Sequence, residues 1–147
     1  MNIVDDYKIV LHSAGASAGT STVTPSSGVD CQGFAGVTFF VVMGEITSGA
    51  EVSIVAETST DNDDEDKFAE VAGSGITVMD TEDDKMFVID VLRPRERYVR
   101  CVVNRSTQNS VLRSILAILY DPSRRPTEAD ANVVTVLRLS DPGVAIA

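Results

Sequence analysis

With 147 residues, 44% of them hydrophobic but only 5% aromatic and none Trp, the chain has material for one aliphatic core and little for stacking bases or sugars. A formal net charge of -10 counts against nucleic acid as a partner, because phosphate binding rests on clustered Lys and Arg that release counterions. No apolar run approaches the roughly 18 to 20 residues of a membrane span, and the start of the chain carries acids with no basic region. The expectation is a chain made in the cytoplasm, with neither membrane nor nucleic acid among its partners.

Residues 7–12, Tyr-Lys-Ile-Val-Leu-His, read as a first strand with Ile9 and Leu11 on one face. The stretch 13–28 is rich in Gly, Ala, Ser and Thr and ends at Pro25-Ser-Ser-Gly28. That composition predicts an extended loop, a short exposed edge strand, or an arm that orders only against a neighbour. Residues 36–46 carry the strongest pattern and predict a central strand. Val37, Phe39, Val41 and Met43 form one face and Thr38, Phe40 and Val42 the other, both apolar enough to be covered. After a turn at 47–50, Val52, Ile54 and Ala56 alternate with Glu51, Ser53, Val55 and Glu57, a strand expected to pair with the central one as a meander.

Asp61, Asp63, Asp64, Glu65 and Asp66 invite a calcium-loop reading. Counted from Asp61, however, Asp66 stands where an EF-hand needs Gly, and Ala72 where it needs a bidentate Glu. The run is read as an exposed acidic turn, with an irregular cation site as the alternative. A short strand at 68–72 is anchored on Phe68, and a second acidic turn occupies 80–84. Residues 85–92 then alternate Phe87, Ile89 and Val91 with Met86, Val88 and Asp90, and 97–103 alternate Val99, Cys101 and Val103 with Tyr98, Arg100 and Val102. Joined by Arg93-Pro-Arg-Glu96, they are the clearest expected hairpin. Arg93, Arg95, Arg97, Arg100, Arg105 and Arg113 gather basic charge around it, either as surface ion pairs or as a patch for an acidic partner. Residues 110–120 satisfy helical and strand spacing alike; Ile, Val and Tyr content favours a strand.

Asp121-Pro-Ser-Arg-Arg-Pro126 closes the domain, since two prolines so close together forbid regular pairing. The boundaries are therefore 1–126 for the domain and 127–147 for a C-terminal arm. Within that arm, 133–139 (Val-Val-Thr-Val-Leu-Arg-Leu) is a good strand sequence. Either it pairs with its own sheet edge or it adds a strand to another subunit.

Motifs for chemistry are missing. His12 is the only histidine, no phosphate-binding glycine loop occurs, and Asn104-Arg-Ser106 is read as a chance sequon. Cys31 and Cys101 lack C-x-x-C partners and are expected as buried free thiols, with a disulfide as the alternative. No catalytic residue, cofactor or metal is predicted, and the chain is not expected to be an enzyme.

Four stretches carry a family resemblance: Val-Asp-Cys-Gln-Gly-Phe-Ala-Gly-Val-Thr-Phe-Phe-Val-Val at 29–42, Val-Ala-Glu-Thr-Ser-Thr-Asp-Asn-Asp-Asp-Glu-Asp-Lys-Phe-Ala-Glu-Val at 55–71, Arg-Tyr-Val-Arg-Cys-Val-Val at 97–103 and Ile-Leu-Ala-Ile-Leu-Tyr-Asp-Pro-Ser-Arg-Arg-Pro at 115–126. In this order they resemble small virion structural proteins of tailed bacteriophages. The acidic loop and the strand-like tail depart from that pattern.

What the resemblance implies is an all-β, antiparallel β-sandwich, jelly-roll or Ig-like, with an extended N-terminal loop and a C-terminal arm. Its core would be Val37, Phe39, Val41, Val52, Ile54, Phe87, Ile89, Val99 and Val103. The implied function is capsid decoration: a cement protein that binds the assembled head shell on the virion surface, with the major capsid protein and itself, as a homotrimer, for partners. Arg124, Arg125, Val134, Val136 and Leu139 are the expected interface residues. A tail or head-tail connector component is the runner-up, and a calcium-dependent carbohydrate- or surface-binding module is the reading from another class.

Overall fold

A computed structural model describes residues 3–64, 67–137 and 139. After a one-turn helix α1 (Ile3–Asp6) come ten strands: β1 (Lys8–Ser13), β2 (Ala16–Gly19), β3 (Val29–Asp30), β4 (Gly36–Ile46), β5 (Glu51–Ser59), β6 (Ala69–Glu70), β7 (Ile76–Val78), β8 (Met86–Leu92), β9 (Tyr98–Ser106) and β10 (Ser110–Tyr120). All pairings are antiparallel. One sheet runs β1-β10-β4-β8, with β2 also on β10; the other runs β3-β9-β5-β6, with β7 also on β5. The β-sandwich is therefore as expected, and the interleaved order is that of a jelly roll rather than an Ig-like domain.

Two expected pairings are overturned by this topology. β4 and β5 lie in different sheets, so they form no meander, and β8 and β9 likewise form no hairpin. Each connecting turn instead arches from one sheet to the other. Alternation reveals which face of a strand is apolar, and that face is the same whether the next strand pairs beside it or packs opposite it.

The core lies between the sheets. Val37, Phe39, Val41 and Met43 of β4 are fully buried there, facing Ile54 and Ala56 of β5 and Val99, Cys101 and Val103 of β9. Phe87 is only half-buried at the margin. In β10 the inward residues are Leu112, Ile115, Ala117 and Leu119. A register shift between Leu112 and Ser114 reverses the phase, so Leu112 points inward while Leu116 and Ile118 point outward. Simple alternation places all three together and misses this bulge.

Residues 13–28 order on their own domain, not against a neighbour. β2 pairs with β10, and Val23 exchanges both backbone bonds with Val103. Arg105, 5% exposed, holds the stretch by donating to the carbonyl oxygens of Ser17 (2.8 Å), Ser21 (2.8 Å) and Ser110 (2.6 Å). His12 ties the two sheets together. Its Nε2 accepts the Cys101 backbone N–H (3.1 Å), an edge donor of β9 that the short β3 does not reach.

Past Pro126 the chain first runs back to its start. The Thr127 N–H donates to the Asp5 carbonyl, its hydroxyl reaches Val4 and Tyr7 carbonyls, and the Asp130 N–H donates to the Ile9 carbonyl.

Candidate functional site

His12 and the two cysteines are committed to structure. His12 is half-buried against Phe39, ring centroids 5.1 Å apart, and desolvation together with the nearby Arg100 charge lowers its pKa to about 4. It is therefore neutral near pH 7, with the proton on Nδ1 because Nε2 accepts. Cys31 and Cys101 are buried free thiols, and desolvation pushes both up to about 12, far from a reactive thiolate.

Described residues of the acidic turns accept structural hydrogen bonds. Asp61 accepts the Asp63 N–H and pairs with Lys67 (3.2 Å), contacts that hold its carboxyl below the usual range. Asn62 receives the Gly28 N–H, and of residues 61–64 only Asp63 is fully exposed; Glu65 and Asp66 lie outside the described residues. In the second turn Asp80 and Asp83 accept the Gly49 and Ile46 N–H groups. Among the described residues no three or more His, Cys, Asp or Glu side chains converge as metal ligands.

The arginines do not form one patch. Arg100 and Arg105 are interior. Arg100 pairs with Glu57 (2.7 Å) and lies over the Phe68 ring, 4.1 Å from its centroid. Arg97 grips Asp30 through two bonds, which depress the Asp30 carboxyl, and Arg113 pairs with Asp84. Arg93 and Arg95 remain exposed in the arch after β8.

Surfaces offer more than pockets of chemistry. Cross-strand register aligns Leu11, Leu116, Phe40 and Val88 in one outward row across β1, β10, β4 and β8. Ile9 and Ile118 extend it on one side and Val42 and Met86 on the other. Met86 is 57% exposed, Val88 51% and Leu116 38%, and Thr38, Phe40 and Val42 of β4 beside them are half-buried, so the second face of β4, expected to be covered, is only partly covered. A polar corner bounds this face. Tyr120 lies across Gly36, where any side chain would collide with its ring, and its hydroxyl and that of Thr38 donate to Asp90. Burial and Asp90 together raise the Tyr120 pKa to about 12.

Strand β8 is also an edge. Its one neighbour among the described strands is β4, and on its free side a groove separates it from residues 69–76. Two adjoining cavities of about 410 and 670 Å³ make up this groove, sharing Val71, Ala72, Val91 and Leu92 in their walls.

The five expected interface residues lie after the last strand, β10. Arg124 is exposed and Arg125 pairs with Asp6 (2.9 Å) beside the cis Arg125–Pro126 bond. Val134 is 92% and Leu139 83% exposed, while Val136 is half-buried. Residues 133–137 form no strand on their own sheets. Sequence reasoning missed the outward row, whose signal was the apolar second set Phe40 and Val42.

No family model and no curated protein matches the chain. Among solved structures, a chain from the structure of infectious bursal disease virus, Gt strain, is similar with a TM-score of 0.50 and 13% identity, over 83% of this chain and 36% of that one. This chain thus spans little more than a third of that chain's length, and at such identity the likeness is one of fold. A chain from Bacillus endospore appendages, described as disulfide-linked pili, is similar with a TM-score of 0.46 and 12% identity, over 81% of this chain and 91% of that one. No helix among the described residues is long and apolar enough to cross a membrane.

Proposed function

We propose that this chain is a capsid decoration (cement) protein of a tailed-bacteriophage head, made in the host cytoplasm and bound to the major capsid protein on the virion surface as a homotrimer at local threefolds. The observation that carries the reading is the open apolar face of the β1-β10-β4-β8 sheet, with the row Leu11, Leu116, Phe40 and Val88 at its centre. A solvent-facing sheet is normally polar, and an apolar one signals a surface that docks.

Size argues for arms as well. Three strand spacings by about six residues of rise make a face of roughly 300 Å², whereas a stable interface takes about 800 Å² from each partner. The exposed tail apolars Val134, Leu137 and Leu139 are the nearest source of the remainder. A jelly roll is a common architecture of viral capsid domains, which supports the reading by analogy of fold.

The test is a cryo-EM reconstruction of the source particle with and without this protein. Density at the local threefolds that vanishes in its absence is the expected result. Loss confined to the neck or tail would replace this reading with a connector or tail role, and no loss anywhere would end the virion reading.

A further inference from the structure

We infer that the groove along β8 is an acceptor for the segment 133–139 of a second copy of this chain, which would lie there as an added strand. The proposal does not depend on the virion reading, because the chain alone in solution tests it.

Among the described residues the acceptor is the longest unpaired strand edge of the sandwich, ahead of the six-residue β1 at the other end of its sheet. β8 has seven residues, whereas the outer strands of the other sheet, β3, β6 and β7, have two, two and three. An edge of that length presents a row of free backbone donors and acceptors, and natural edges usually carry devices that block pairing. β8 has no proline and no bulge, and offers exposed Met86, Val88 and Leu92. Its groove is walled by apolar Val71, Ile76, Ile89 and Val91. The donor matches in length and character. Residues 133–139 are also seven, β-branched or aliphatic except Arg138, with Val134, Leu137 and Leu139 exposed.

Reach decides that donor and acceptor belong to different copies. The tail is tied at Asp130, whose N–H donates to the Ile9 carbonyl on β1. Ile9, Ile118, Thr38 and Asp90 occupy one row across the sheet, so β8 stands three strands away from that tie. A strand beyond β8 lies four spacings from Ile9, about 19 Å. The chain from Asp130 to Val133 spans at most about 11 Å when fully extended. The tail cannot enter its own groove in full while that tie holds, but nothing prevents it entering a neighbour's. Donor and acceptor on opposite edges make a head-to-tail interface, which builds a ring where the rotation closes.

The experiment uses the full chain and three substitutions. Val136→Pro removes a ladder donor from the tail, and it lies outside the sandwich, so the fold is retained and is checked by circular dichroism. Sedimentation equilibrium should show an oligomer for the unsubstituted chain and monomer for Val136→Pro at the same concentration, with association weakened by at least about tenfold. A mixture of Val88→Cys and Val134→Cys chains, treated with a flexible bismaleimide, should give a cross-linked dimer; the buried native thiols stay out of the reaction. A monomer at every concentration overturns the proposal and leaves the groove to a different protein. An oligomer that survives Val136→Pro overturns it in favour of the sheet face. Cross-linking confined within one chain when Val88→Cys and Val134→Cys are combined in a single protein overturns the reach argument.

Discussion

Acidification should unlock the tie between the two sheets. His12 is neutral in the folded chain and has its pKa lowered from 6.5 to about 4 by burial and by Arg100. The unfolded chain, with the ordinary value, binds a proton that the folded chain refuses between those limits. Stability is thus fully present above about pH 6.5, falls as pH drops through the window, and the loss is complete below about pH 4. The gap corresponds to about 3 kcal/mol, with a slope near 1.4 kcal/mol per pH unit in mid-window. Protonation also converts Nε2 from acceptor to donor, which sets it against the Cys101 N–H it now receives.

Urea unfolding at a series of pH values from about 7 to about 4 measures the slope. His12→Gln keeps an acceptor but removes the titration, so its curve should be nearly flat across the window even if its absolute stability is lower. Asp30 has a depressed carboxyl that contributes stability lost only as pH falls below the ordinary carboxylate range, so the difference between the two curves isolates His12. Equal slopes for the two proteins would refute the reasoning and return His12 to a packing role.

Two further outcomes test the frame around the surface. Arg105→Met should cost about 3 kcal/mol, because a charged donor serving three carbonyls is lost; limited proteolysis should then cut within 14–24. Adjacent phenylalanines of β4 should behave differently: Phe39→Ala, fully buried, should cost about 3 to 5 kcal/mol in thermal or chemical unfolding, and Phe40→Ala on the open face only about 1. Equal losses would mean that the outer face is covered in solution.

Much of the strand inventory was legible in the sequence because period-two alternation is a local property. β4, β5, β8, β9 and β10 follow from the faces of Val37/Phe39/Val41, Val52/Ile54/Ala56, Phe87/Ile89/Val91, Val99/Cys101/Val103 and the Ile- and Leu-rich stretch to Tyr120. Helix α1 escaped notice because a single turn, with its Tyr7 N–H to Ile3 carbonyl bond, has no periodicity to read. The interior arginines were equally hidden: nothing local separates Arg100 and Arg105, buried against Glu57 and a set of carbonyls, from the exposed Arg93 and Arg95.

By itself, then, the sequence determined that this is an aliphatic, all-β chain with a polar connector at 13–28 and a strand-like segment after the prolines. Tertiary structure alone decided which strands are neighbours, turning an expected meander and hairpin into arches of a jelly roll. It also decided that Leu11, Leu116, Phe40 and Val88 meet in one open row and that β8 is left as an edge. The physical reason is that side-chain alternation specifies the face a strand buries, whereas pairing depends on backbone bonds identical at nearly every residue. The partner is therefore chosen by how whole sheets close over the core.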